Sequence, residues 1–265
     1  MMLIFAAYAK ADNISQGLRH YDRNEFQQAY KYFIKSSANS NPKVQRCLGY
    51  MYSTGSGVKK DYVKAMEWYA KSASQGYAPA QFDIGTMYEN GEGVKKDLQK
   101  AANWYRYAAL QNYSKAQYNL AQFYEKGYGV QADFNKAREW YQKAANQGHL
   151  SAIVNLGTLY GKGLGGSKDI EKAFVLFRKA AEKGSASAQY NLAEHYRAGL
   201  ATPRDMDKAI YWYEKSAAQG TVKAMEKLSK IYQHGWQHIP ADKTLSEQWA
   251  QKAETARKEK GTGKF

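Results

Sequence analysis

Few side chains in this sequence have the type and spacing to do chemistry, and most lose their claim on inspection of their neighbours. Ser40-Asn-Pro-Lys43 and Ser56-Gly-Val-Lys59 fit the Ser-x-x-Lys pattern in which a serine nucleophile acts in penicillin-recognising enzymes, but both fall in or beside turns and no companion motif follows either. His234 and His238 stand four apart, the spacing of a shared metal ion on a helix, yet Gly235 and Pro240 put them in a loop without a third ligand. His20, His149 and His195 read as surface or packing residues. Cys47 is the single cysteine, so neither an internal disulfide nor a thiolate zinc cluster can form, and it reads as a small buried hydrophobe. Gly91-Glu-Gly93-Val94 and Gly127-Tyr-Gly129-Val130 resemble pieces of a phosphate loop. No strand precedes them, and Asp97 and Asp133 stand at the following helix starts where a phosphate would have to sit. No catalytic residue, metal or cofactor is expected.

The charge is broader and less specific. Against 24 Asp and Glu stand 39 Lys and Arg, a net charge of +15 that suits acidic partners. The cations recur singly, as at Lys59, Lys95, Lys143, Lys179 and Lys215, and thicken only from Lys252 to Lys264, which is the pattern of a solvated basic exterior. No stretch approaches the roughly 20 apolar residues of a bilayer-spanning helix. The run from Met1 to Ala7, followed by Ala7-Tyr8-Ala9, looks like the end of a secretion signal, so residues 1–11 are expected to be a signal remnant and the protein periplasmic or secreted. A cytoplasmic location follows if that reading fails.

The elements that must position any site come from a fixed period of 36 residues: Ala65, Ala101, Ala137, Ala173 and Ala209 keep it, as do Trp68, Trp104, Trp140 and Trp212, with Leu176 in the gap. Ala101, Trp104, Tyr105, Ala108 and Ala109 paint one helical stripe, and Ala80, Ile84, Gly85 and Tyr88 another. Glycine caps the first helix, Asp97 opens the second, and the recurring small residue at Gly49, Gly85 and Gly157 is expected to let a partner backbone approach. The expected fold is therefore an all-α solenoid of about seven antiparallel helix pairs. Its parts are a capping pair at 12–40, five regular repeats over 41–220, a C-terminal capping repeat at 221–256 and a basic disordered tail at 257–265. Trp104 and its equivalents are expected in the core, where truncation would cost roughly 3 to 5 kcal/mol.

The unit Ala80-Gln-Phe-Asp-Ile-Gly-Thr-Met-Tyr88, with Gly91-Glu-Gly-Val94, Asp97 and Lys100-Ala-Ala-Asn-Trp-Tyr105, resembles the Sel-one-like repeat family of tetratricopeptide-type proteins, over residues 13 to 256. The resemblance implies a right-handed superhelix whose first helices line the concave side, and an adaptor role. A cysteine-rich branch of the family carries a disulfide in each repeat, which this chain lacks, so the activities proposed for that branch do not carry over.

If the first helices line the groove, one register reads Cys47, Asp83, Asn119, Asn155, Asn191 and Lys227. A ladder of amides there can pair with the backbone of an extended peptide, or can bond to neighbouring helices and order the stack. One position earlier, Phe82, Tyr118 and Tyr190 are placed to hold apolar side chains, and Lys115 to meet a carboxylate. The expected function is a non-enzymatic scaffold binding a protein or peptide through these residues. The alternatives are a basic binder of envelope polymer such as peptidoglycan, or of nucleic acid, and, more remotely, a cell-wall or β-lactam enzyme.

Overall fold

The structure, a computed structural model, describes residues 13–35, 40–236 and 238–262; the expected signal segment at 1–11 lies outside them. The described residues are all-α. Helix α1 spans residues 13–22, and it is followed by α2 (Phe26–Lys35), α3 (Pro42–Thr54), α4 (Tyr62–Ser74), α5 (Ala78–Asn90), α6 (Leu98–Leu110) and α7 (Ser114–Lys126). After these come α8 (Phe134–Asn146), α9 (Leu150–Lys162), α10 (Ile170–Glu182), α11 (Ala186–Ala198), α12 (Met206–Ala218), α13 (Val222–His234) and α14 (Lys243–Thr262). Within each unit, successive helices from α2 onward pack against one another, as the period demands.

Local chemistry sets the helix ends. Asp61, Asp97, Asp169 and Asp205 cap α4, α6, α10 and α12 by accepting from the backbone N–H three residues on. The lysine at that third position also turns back to the capping carboxylate, at 3.0 Å for Lys172 and 2.8 Å for Lys208. First helices α3, α5, α7, α9 and α11 stop at glycines with φ between 70° and 81°.

The chain separates into two compact units, residues up to Asp133 and residues from Phe134. The sequence gives no sign of this boundary, because the 36-residue pattern runs straight through it. In the first unit, Ala65 and Tyr69 of α4 meet Ala80, Ile84 and Met87 of α5 in one buried cluster. In the second, Ala193, Met206, Ala209, Tyr213, Ala224 and Leu228 do the same for α11, α12 and α13.

Three expectations change. The mid-helix glycines make room for a ring before a backbone: a Cβ on Gly85 would lie 2.7 Å from the Tyr105 ring and 3.4 Å from the Ala101 carbonyl oxygen, and one on Gly157 2.8 Å from Phe177. The buried aromatic of each second helix is accordingly Tyr69, Tyr105, Tyr141, Phe177 or Tyr213. Trp68, Trp104, Trp140 and Trp212 are only half-buried, at the margin of the core. The Lys71 ammonium lies 4.4 Å above the Trp68 ring and that of Lys143 4.1 Å above Trp140, so these two indoles keep a solvated cationic lid. Truncating Trp104 empties less buried volume than a core site would. Finally, α14 continues to Thr262, through residues expected to be disordered. Glu254 pairs with Lys258 one turn on at 2.7 Å, and Arg257 pairs with Glu226 of α13, which ties down the start of that stretch.

The two kinds of turn differ. A Cβ on Gly165, in the turn after α9, would stand 2.2 Å from the Phe134 carbonyl oxygen at the start of α8. At Gly184, between α10 and α11, nothing lies within 4 Å.

Candidate functional site

The tyrosines buried in the second helices are long enough to pass their hydroxyls to the polar edge between first helices, and this fixes the asparagine register. Tyr105 donates to Glu89 and lies 3.4 Å from Thr86 Oγ1, both on the first helix of its own pair, and it also hydrogen-bonds Asn119. Burial first, then the Glu89 carboxylate, pushes its hydroxyl well above the ordinary range, so it stays protonated. In the second unit, Asn155 Nδ2 donates to the Tyr141 hydroxyl at 2.9 Å. One repeat later the same position is Phe177, which has no hydroxyl, and among the described residues the half-buried Asn191 amide has no hydrogen-bond partner. At the next step Tyr213 donates to Glu194, which also binds Lys227 at 3.0 Å and Arg197 at 2.7 Å. Burial alone would raise the Glu194 carboxyl; hydrogen bonds from Arg197, Tyr213 and Lys227 outweigh it and hold the group below its ordinary value.

The eight candidate residues divide between the units. Phe82, Asp83, Lys115, Tyr118 and Asn119 belong to the first, and Asn155, Tyr190 and Asn191 to the second. Asp83 is already engaged: Arg46 of α3 clamps it through Nε at 2.6 Å and Nη2 at 3.3 Å. Burial pushes the Asp83 carboxyl up, and Arg46 and then Lys115 pull it back. Lys115 is exposed and near enough to act on that charge, while Phe82 packs, tilted, at 5.4 Å on Tyr105 and at 5.5 Å, edge on, against Tyr113. Tyr118 and Tyr190 are half-buried, the latter 5.8 Å from the Tyr213 ring. Cys47 stands in this register but is withdrawn from any groove, because it is buried, and desolvation raises its thiol to about 11.

A second polar ladder escaped the sequence reading. Gln45, Gln81 and Gln189 are buried, and each accepts through Oε1 from a glutamine thirty residues on, Gln75, Gln111 and Gln219, at 2.7 to 2.8 Å. The amide nitrogens of Gln117 and Gln189 reach back to the carbonyls of Ala109 and Ala181, at the end of the preceding second helix, at 3.1 and 3.3 Å. The signal was present, since these glutamines keep the 36-residue step. A buried amide that satisfies both its donor and its acceptor fixes register between neighbouring hairpins.

Similarity to known proteins accords with this architecture. The Sel1 repeat matches at residues 6–41, 44–77, 78–113, 114–149, 150–185, 186–221 and 222–256. A Sel1 repeat protein from Oxalobacter formigenes is similar at 38% identity and a TM-score of 0.83, over 91% of this chain and 96% of its own. The protective antigen c5321 of uropathogenic Escherichia coli, which displays an SLR fold, is similar at 29% identity and a TM-score of 0.73, over 93% of this chain and 61% of the antigen. Comparison with curated proteins finds no match. Sel1 repeat proteins are generally protein-interaction scaffolds, and none of the helices described is long and apolar enough to cross a membrane. With seven matched repeats covering nearly its whole length, the chain belongs to the Sel1 repeat family.

Proposed function

We propose that the protein is a non-enzymatic adaptor that binds an extended segment of another protein along its first helices, with Asn191 as the principal backbone contact. The observation that carries this reading is the open amide of Asn191 beside the exposed edge of Tyr190, where Asn119 and Asn155 are held by tyrosine hydroxyls. A free amide offers a donor and an acceptor in register with a peptide unit, and Tyr190 offers a ring for an apolar side chain. In the first unit Phe82, Tyr118 and Lys115 supply similar contacts, with Asn119 and Asp83 as supporting residues whose polar atoms are already partly spent; in the second unit Asn155 has that supporting part. The apolar segment at Met1 to Ala9 supports a place in the periplasm or outside the cell, which Edman sequencing of the native protein checks.

The test is differential capture of partners from the native source by the parent protein, Asn191→Ala and Phe177→Tyr. The tyrosine variant supplies the missing hydroxyl and occupies Asn191 without removing it. Loss of the same captured protein in both variants, with melting temperatures at or above the parent's, supports the reading; unchanged capture overturns it. Capture that collapses between about 50 and 200 mM salt in all three proteins favours a polyanion held by the net charge instead.

A further inference from the structure

The turn after α13 breaks the Gly-x-Gly rule, and what it builds is a pocket. Gly235 has φ 68° and ψ 174°, which swings the chain back so that Trp236 and Ile239 exchange two backbone hydrogen bonds of 2.7 Å. The Trp236 ring, with the Arg204 guanidinium 5.0 Å from its centre, joins Met206 and Ile231 as the apolar wall of a cavity of about 220 Å³. The rest of its lining is basic: Arg197 of α11, and Lys227, Lys230 and His234 of α13. Glu194 holds Arg197 and Lys227 in place, while Lys230 and His234 make no ion pair among the described residues. The indole N–H of Trp236 is buried and has no acceptor among them.

An apolar wall faced by the unspent Lys230 ammonium and the His234 imidazole fits a ligand with one apolar group and one carboxylate. The volume accommodates a single large side chain. Tyr190, Glu194 and Arg197 are spaced i, i+4 and i+7 on α11, so the pocket continues the face that carries the tyrosine neighbouring Asn191. From this we infer that the pocket receives the free C-terminus of a partner chain ending in a large apolar residue. The inference rests on the peptide-binding reading for its source of ligand, and its test is independent of it.

The probes are N-acetyl-glycyl-phenylalanine, its C-terminal amide and phenylpropionate, titrated into the full chain with the Trp236 indole N–H resonance as reporter, assigned by its absence in Trp236→Phe. The free acid shifts that resonance with millimolar affinity, and amidation weakens binding about tenfold. Lys230→Gln with His234→Gln weakens the acid by a similar, roughly tenfold factor and leaves the amide unchanged. The probe titration on the parent chain does not call on Asn191, so a pocket that binds the acid while Asn191→Ala leaves partner capture unchanged sinks the adaptor reading alone, and the reverse result sinks the pocket alone. Equal binding of acid and amide, or no shift with either, overturns the inference. Phenylpropionate binding as tightly as the dipeptide also overturns it, because the pocket would then serve a free small carboxylate.

Discussion

The junction of Tyr141 with Asn155 and the junction of Phe177 with Asn191 stand one repeat apart in the second unit, with the same helix lengths and the same register. They differ by one oxygen atom. Where the hydroxyl is present, the asparagine is consumed in holding two helices together; where it is absent, an identical asparagine faces outward with its valences open. The same side chain at the same place in a repeat is thus structural in one copy and available in the next, and a pattern of identical residues is no guide to which is which.

Removing the ring at the open junction is the most disruptive way to break this comparison. Phe177 is 5% exposed, and Phe177→Ala is expected to cost roughly 3 to 5 kcal/mol, read by urea denaturation. A loss under about 1 kcal/mol would show that the ring is not the junction's anchor. Tyr141→Phe sharpens the comparison by converting the closed junction into an open one. It is expected to cost about 1 kcal/mol for the lost hydrogen bond and to free the Asn155 amide, seen as a shift of its side-chain NH₂ signals in an NMR spectrum. Side-chain signals that stay where they are would mean that Asn155 was never tied to the hydroxyl.

The smallest effect concerns His195, which lies against the Phe174 and Phe177 rings at 5.8 and 5.4 Å and points Nδ1 at the Leu200 carbonyl, 3.1 Å away. Burial lowers its pKa from the ordinary 6.5, and the Leu200 contact offsets this only in part. Below 6.5 the unfolded chain therefore takes up a proton that the folded chain refuses. Stability from this residue is complete above that pH and declines as the pH falls through it toward the depressed folded value. His195→Leu should narrow the gap in Tm between about pH 8 and pH 5. An unchanged gap would place the acid sensitivity elsewhere.

The helices and their caps were legible because they answer to backbone rules that repeat: an aspartate that caps and a glycine that stops. The site was less so, because the availability of Asn191 depends on an atom fourteen residues earlier on another helix, and no local pattern contains that relation. Trp104 was misjudged for a kindred reason. Trp104 and Tyr105 are adjacent in sequence and both apolar enough for a core, and only packing shows that the tyrosine takes the buried slot and the indole its margin. The glutamine ladder was written at the 36-residue step, with Ile153 interrupting it before Gln189, but its members are polar, and polarity alone does not announce burial.

The contrast between the crowded turn at Gly165 and the open one at Gly184 bears on how such a chain can be edited. Extra sequence entering at Gly184 would loop into solvent and leave the neighbouring hairpins seated, whereas at Gly165 it would prise the turn off the start of α8. Duplication, tagging and grafting have one permissive edge, and the period of the array is protected from the other.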